Sequence, residues 1–348
     1  MVSHRRSSQS GLGFAARGSA ALAVSTAAAT AVVLGAAPAG ADPQQTPAAV
    51  RAKVDRLYEQ AEKATEQYNK AGERAGRLRT LIGQAQDRAA RGQERINRMR
   101  GALGSVAGSQ YRSGGIDPAL ALLLSSDPDS YLDKASVLER VSERQAGVLR
   151  ELQQARRTLG QERTEAAHGL TELERSRAAV ARHKRAVEGR LAEARRLLKT
   201  LPADERGSFD RASRSGRDEL TALGGGLPGG LPSSARAAAA MLAAQRAVGL
   251  PYVWGANGPS RFDCSGLTQW AYAQAGVGLP RTSQAQRYAG RQIPLSQARP
   301  GDLVTYRDDA SHIGMYAGNG QVIHAPYPGA AVRYDPVGMM PVSSVTRV

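Results

Sequence analysis

From Val50 onward, apolar side chains recur at alternating spacings of four and three residues. The series runs Val50, Val54, Leu57, Ala61, Ala64, Tyr68, Ala71, Ala75, Leu78, Ile82, Ala85, Ala89, Gly92, Ile96, Met99, Leu103 and Val106. Within it, Gly92 alone has no side chain to pack. This is the seam of a coiled coil. At about 1.5 Å per residue it runs roughly 85 Å if continuous. Its many alanines allow close approach but bury little area, so the helix needs a partner. The same chain supplies one. Leu138, Val141, Val148, Leu152, Ala155 and Leu159 carry one register, and Leu170, Leu173, Val180, Val187, Leu191, Ala194, Leu198 and Leu201 carry another. The step from Leu159 to Leu170 is a stutter, which locally unwinds a supercoil. Residues 50–201 are therefore expected to form two antiparallel helices. The stretch 108–136 between them is broken by Gly114-Gly115 and Asp117-Pro118. It carries a short apolar helix, Ala119 to Leu124, ended by Asp127-Pro128, and reads as a small cap at the far end. The cap holds more leucine than a turn needs, which fits either self-packing or a docking surface.

The flanks read differently. Residues 1–41 look like a secretory signal: Arg5, Arg6 and Arg17 precede an Ala-, Val- and Leu-rich run, and Ala39-Gly40-Ala41 is a small-residue cleavage site before Asp42. Arg5-Arg6 permits a twin-arginine signal, but the residues after that pair give it no strong support, and the general secretory route is expected. No second run is apolar enough to span a bilayer. Residues 42–49 form a Pro- and Gln-rich leader. Residues 202–234 open with Pro202 and contain Gly224-Gly225-Gly226-Leu227-Pro228-Gly229-Gly230, a flexible linker by composition. The remaining block, 235–348, is long enough for one compact core. It begins with an Ala-rich helix from Ala235 to Val248 and carries strand signals at 291–293, 302–307 and 312–324. Helices first and strands after predict an α+β domain, helices packed on a small antiparallel sheet.

Charge narrows the partners. The formal net charge is +16, with basic residues in both the coil and the C-terminal block. Nucleic acid is the usual partner of such a chain. Here the export signal and the scarcity of aromatics, three Phe and two Trp, argue against it. Anionic cell-wall polymers or lipid head groups suit an exported basic protein better. No metal site is apparent, because two histidines without a carboxylate cluster are too few ligands, and no cofactor is expected.

The chemistry gathers around Cys264, the one cysteine of the 348 residues. It cannot form an intrachain disulfide or a Cys-rich zinc site. It is either a core thiol, as free cysteines often are, or a nucleophile. Asp263 is a good N-cap, and the residues after Cys264 read as a short amphipathic helix. The sulfur then sits at a helix N-terminus, where the macrodipole favours the thiolate. Ser265 and Gly266 are small and leave the backbone N–H groups approachable. A cysteine nucleophile needs a base and an orienting group. Of five histidines, His312 and His324 alone share this block, on two strands around Gly318-Asn319-Gly320. A two-residue loop at Asn319-Gly320 sets Met315 opposite His324 and turns His312 to the other face. A three-residue loop, 318–320, pairs Ala317 with Gln321 and sets Gly314 opposite His324, with both imidazoles on one face at a diagonal of roughly 7–8 Å. Gly320 can supply the left-handed residue that such a loop requires, so the three-residue loop is expected.

Several motifs, taken together and in order, resemble the NlpC/p60 cell-wall endopeptidases, which are papain-like cysteine peptidases. They are Tyr252-Val253-Trp254-Gly255, Phe262-Asp263-Cys264-Ser265-Gly266-Leu267, Pro300-Gly301-Asp302-Leu303-Val304, His312-Ile313-Gly314-Met315-Tyr316 and His324-Ala325-Pro326. The resemblance covers residues 235–348. It implies Cys264 as nucleophile, His312 as general base and acid, and His324 as the group orienting His312. It also implies Tyr252, Asp263 and Ser265 as residues lining the substrate groove, and peptidoglycan as the substrate, cut between D-Glu and a diamino acid. More loosely, through its pattern and the Leu-rich stretch before Ser125-Ser126-Asp127-Pro128, the coil resembles those of cell-division peptidoglycan hydrolases and their activators. That likeness implies a membrane transporter-like division complex as partner and a coil able to keep the active site closed. Two other classes stay open: an amidase or acyltransferase on the same three residues, and a non-enzymatic scaffold in which the coil is the function.

Overall fold

A computed structural model describes residues 46–112, 114, 118–124, 131–207 and 232–348. The expected signal at 1–41, the leader up to residue 45, linker residues 208–231 and cap residues 113, 115–117 and 125–130 lie outside the described residues.

Helix α1 spans Pro47–Arg112, and α3 spans Tyr131–Thr200. Between them α2 covers Pro118–Leu123. The first helix starts earlier than the seam suggests, because Thr46 Oγ1 accepts the Ala49 N–H and Pro47 takes the first turn, where its missing N–H costs nothing. The two long helices run antiparallel, as the cross-pairs Lys53–Glu193, Arg88–Glu162 and Arg95–Glu151 show. Each such exposed pair is worth about 0–1 kcal/mol, so the hairpin rests on its seam. Val50, Val54, Leu57, Ala61 and Ala64 pack with Val187, Leu191, Ala194 and Leu201. Farther along, Ala75 and Ile82 meet Leu173. Near Ile82 the backbones come so close that a Cβ on Gly169 would lie 2.9 Å from the Ile82 side chain.

The seam weakens toward the tip. Val106, Val141 and Leu170, all expected on it, are exposed. Leu170 stands at the stutter, which rotates it off the contact line. Val106 and Val141 lie toward the tip, where the described residues leave them exposed. In the cap, Leu120, Leu123, Leu124 and Leu132 are exposed.

About two turns of α1 break the coiled-coil pattern in the other direction. Glu62, Thr65, Glu66 and Asn69 lie beside the seam at positions that ought to be solvated, yet all four are buried. What buries them is the C-terminal domain.

That domain has helices α4 (Ala235–Arg246), α5 (Cys264–Gln274) and α6 (Ser283–Gln286) and strands β1 (Arg291–Ile293), β2 (Leu303–Tyr306), β3 (His312–Gly318), β4 (Gln321–His324), β5 (Arg333–Pro336) and β6 (Val342–Arg347). The strands form one antiparallel sheet in the order β1-β6-β2-β3-β4-β5. This is the expected α+β arrangement. Met241, Ala244, Leu267, Ala271 and Tyr272 from the helices pack against Ile313, Met315 and Ile323 from one sheet face. The other face buries Val304, Tyr306, Val322 and Val345. Strands β5 and β6 have weak signals: Arg333–Pro336 holds two charges and a proline, and is an edge.

The β3–β4 turn differs from the expected three-residue loop. Gly318 pairs with Gln321, so the turn is Asn319-Gly320, both with positive φ, 53° and 71°. That is the two-residue turn which suits strand twist. A bulge between Tyr316 and Gly318 then inserts one residue and restores the register, with Tyr316 opposite Val322 and Met315 opposite Ile323. Gly314 is thereby brought beside His324, where a Cβ would lie 3.1 Å from the His324 Cβ. Turn and bulge together set the histidine register that the longer loop was expected to set.

The helix–sheet core predicts a contrast between neighbours. Met241 is fully buried and Leu242 half exposed. Met241→Ala should cost about 2–5 kcal/mol in urea unfolding followed by near-UV circular dichroism, and Leu242→Ala about 1 kcal/mol or less. Equal losses would contradict this packing.

Candidate active site

Asp263 sets the start of α5. Its backbone is extended, and its Oδ1 accepts the Gly266 N–H at 2.7 Å. Gly266 must be glycine, because a Cβ there would lie 2.2 Å from the Ala256 carbonyl oxygen. Arg281 clamps the same carboxylate, with Nη2 to Oδ2 at 2.6 Å and Nη1 to Oδ1 at 3.0 Å. Gly255 N–H also donates to Oδ2, at 2.9 Å. Cys264 comes next, in the first turn, and is fully buried.

The two histidines meet. His312 Nε2 lies 2.8 Å from His324 Nδ1, with the rings edge to face. His324 Nε2 lies 2.8 Å from Asp335 Oδ2, to which Arg333 Nε also donates at 2.8 Å. Asp335 was not visible in the sequence as part of the site. Strand β5 brings it there: His324 pairs with Arg333 and Val322 with Asp335, so all four share a sheet face.

Helix α1 contacts both the cysteine and the histidine. Glu62 and Glu66 are one helical turn apart and point into the groove together. Glu66 Oε1 lies 3.7 Å from Cys264 Sγ and accepts the Ser265 hydroxyl at 2.7 Å. Its Oε2 accepts the Ser283 N–H at 2.8 Å. Glu62 Oε2 accepts Arg307 Nη1 at 2.6 Å, and its Oε1 lies 3.6 Å from His312 Nδ1. Asn69 Nδ2 donates to Asp263 Oδ2 at 3.1 Å. Tyr58 stacks on Tyr327, ring centres 4.8 Å apart, and Tyr68 sets its edge against Trp254 and covers Gly255. Lys63 pairs with Asp309.

The electrostatics reflect this burial. Glu62 is pushed up to about 7, chiefly by desolvation and against the pull of Arg307. Glu66 is also pushed up to about 7, by desolvation and then by the Asp263 charge, against its hydrogen bonds from Ser265 and Ser283. Burial, then the Glu66, Asp263 and Glu62 carboxylates, hold the Cys264 thiol well above its usual range. The helix N-terminus was expected to favour the thiolate; with α1 docked, desolvation and the neighbouring carboxylates outweigh it. Burial, His324 and Arg307 push the His312 imidazole well below its usual value. The Glu62–His312 approach is thus a contact of two groups driven toward neutrality rather than an ion pair.

Of the six residues singled out from sequence, Cys264, Asp263 and Ser265 surround the Glu66 carboxylate, and His312 meets both Glu62 and His324. Tyr252 is buried nearby. Its hydroxyl makes no hydrogen bond among the described residues, and burial and the Cys264 side chain raise its pKa. Sequence reasoning missed Arg281, Ser283, Arg307 and Asp335. Glu62 and Glu66 were also missed, because on a helix their spacing is that of an ordinary solvated flank. Among the described residues no group of three His, Cys, Asp or Glu side chains is placed to hold a metal ion.

Comparison with known proteins agrees with the motif resemblance. Residues 249–346 match the NlpC/P60 family. The chain is similar to a probable endopeptidase of Corynebacterium glutamicum, 46% identical over 105 residues, which are 30% of this chain and 50% of that protein. It is similar to the probable endopeptidase p60 of Listeria monocytogenes, 52% identical over 94 residues, 26% of this chain and 19% of that one. Among solved structures it is similar to the NlpC/p60 domain of the peptidoglycan hydrolase SagA, at 36% identity and a TM-score of 0.31, covering 32% of this chain and 98% of that one. The chain spans about half, or less, of the length of the curated relatives it matches. By that family match, residues 249–346, the C-terminal domain of the chain belongs to the NlpC/P60 family.

Proposed function

We propose that the protein is a secreted cell-wall hydrolase that cuts peptide bonds in peptidoglycan stem peptides, and that its own coil holds it inactive. The observation that carries this is the convergence of Cys264, at a helix start, with the hydrogen-bonded His312–His324 pair, both touched by carboxylates of one α1 turn. Once α1 leaves the groove, the Cys264 thiol gives its proton to His312 Nδ1 and the thiolate attacks the carbonyl carbon. The Cys264 N–H stabilises the oxyanion. His312 then protonates the leaving amine, and water activated by the same imidazole releases the acyl group. Tyr252, Asp263 and Ser265 line the groove. The family resemblance supplies the bond, between D-Glu and the diamino acid, and export is the reading of residues 1–41. The coil tip, with Leu120, Leu123, Leu124 and Leu132 exposed, is the surface on which a membrane transporter-like division complex would pull.

The test uses the full chain on cell-wall sacculi, with released fragments identified by mass spectrometry. Glu66→Lys, which sets a cation against Arg281 and the Ser283 N–H, should raise fragment release over the unsubstituted chain. Adding Cys264→Ala or His312→Ala should reduce it by about 1,000-fold or more. Fragments with a new amino terminus on the diamino acid support the endopeptidase. Cleavage at the sugar–peptide amide would make it an amidase. No fragments from any folded form would favour the scaffold.

Docking should also depend on pH. A glutamate free in water titrates near 4.3, whereas docked Glu62 and Glu66 titrate near 7. The docked state binds more protons between those values, so the contribution of these two carboxylates to docking is greatest below about 4.5 and fades as pH rises to about 7. Trp254 emission, which reports the Tyr68 contact, should track this course in the full chain, and Glu66→Gln should remove part of it. Loosening on acidification would contradict it.

A further inference from the structure

The mechanism proposed above needs a lone pair on one particular nitrogen. His312 Nδ1 faces the groove, is buried, and makes no hydrogen bond among the described residues. It can take the thiol proton in one tautomer alone, with the ring proton on Nε2. A neutral histidine placed between two acceptors or two donors has no fixed tautomer, so something must set it.

We propose that Asp335 is a positioning residue that sets the tautomers of both imidazoles in series. A carboxylate can accept a hydrogen bond and cannot donate one. At 2.8 Å from Asp335 Oδ2, His324 Nε2 must therefore carry the proton. In the neutral ring His324 Nδ1 is then an acceptor. At 2.8 Å it receives a hydrogen bond from His312 Nε2, which must hold the His312 proton. His312 Nδ1 is left with its lone pair toward the groove. Two neighbouring facts keep this chain in one direction. Arg333 Nε donates to the same Asp335 oxygen at 2.8 Å, so the carboxylate stays ionised and oriented. Burial lowers the His324 pKa, so that ring is neutral rather than doubly protonated. When His312 accepts the thiol proton it becomes a cation, and its Nε2–H···Nδ1 bond to His324, backed by Asp335, is then charge-assisted.

The inference rests on the peptidase reading for its consequence but not for its geometry, and the experiment separates the two. In the full chain labelled with nitrogen-15 at histidine, imidazole nitrogen shifts should show His312 protonated on Nε2 and bare on Nδ1. Asp335→Asn can donate its amide N–H to His324 Nε2 and should reverse both rings, placing a proton on His312 Nδ1. On sacculi, in the Glu66→Lys background, Asp335→Asn should lower kcat by about 100-fold with little change in KM, while Asp335→Glu, still an acceptor, should keep a larger share of activity. Nδ1 protonated in the unsubstituted chain would overturn the inference, as would Asp335→Asn reversing the rings at full activity. The stated tautomers in a chain that cleaves nothing would uphold it and sink the peptidase reading instead.

Discussion

The site hangs on the buried carboxylate of Asp263. It caps the helix that carries Cys264, anchors the Gly255 loop through a backbone N–H, and holds Arg281, which in turn donates to Ser265. It also receives the Asn69 amide from the coil. A buried charge persists where several donors satisfy it and a cation balances it. Asp263 has all of these, so the helix that carries Cys264, the loop beside it and the docked α1 share one electrostatic anchor. Truncating that side chain would leave Arg281 buried beside the Glu66 carboxylate, with the α5 N-terminus uncapped.

Much of this was legible in the sequence where a single residue type has a single use. An Asp before Cys-Ser-Gly at the start of an amphipathic stretch predicts a cap, and the structure has it. Gly314 beside His324 is a consequence of strand register, although the register is reached through a bulge at Ala317 rather than a longer loop. Bulges leave no residue signature apart from their neighbours' pairing. Asp335 was illegible because its strand is a short edge containing a proline and two charges, a pattern that reads as loop. Its role depends on β5 lying next to β4, which is a fact of topology.

The coil illustrates a different limit. Heptad analysis separates seam from flank by polarity, and Glu62, Thr65, Glu66 and Asn69 are polar. They are flank with respect to α3 and core with respect to the C-terminal domain. A sequence pattern records the chemistry of a side chain but not the number of surfaces its helix must satisfy. Here that chemistry serves the second surface: Arg307, Ser265 and the Ser283 N–H are donors that a carboxylate satisfies, and an apolar residue in their place would leave them buried and unpaired. The same carboxylates make release inexpensive, because each gives up hydrogen bonds in the groove and regains hydration outside it.

That the helix touching Cys264 and His312 belongs to the same chain has a kinetic meaning if it blocks the site as proposed. An inhibitor on a tether is present at an effective concentration fixed by geometry, in the millimolar range for a short connection, and dilution of the protein does not lower it. On the proposed function, a soluble peptide fragment must exceed that figure to compete, so scattered fragments of a degraded wall would leave the site closed however many molecules of the protein are present. Under that proposal, opening is governed by what pulls on α1 rather than by how much substrate surrounds the groove, so the protein would answer to position instead of abundance.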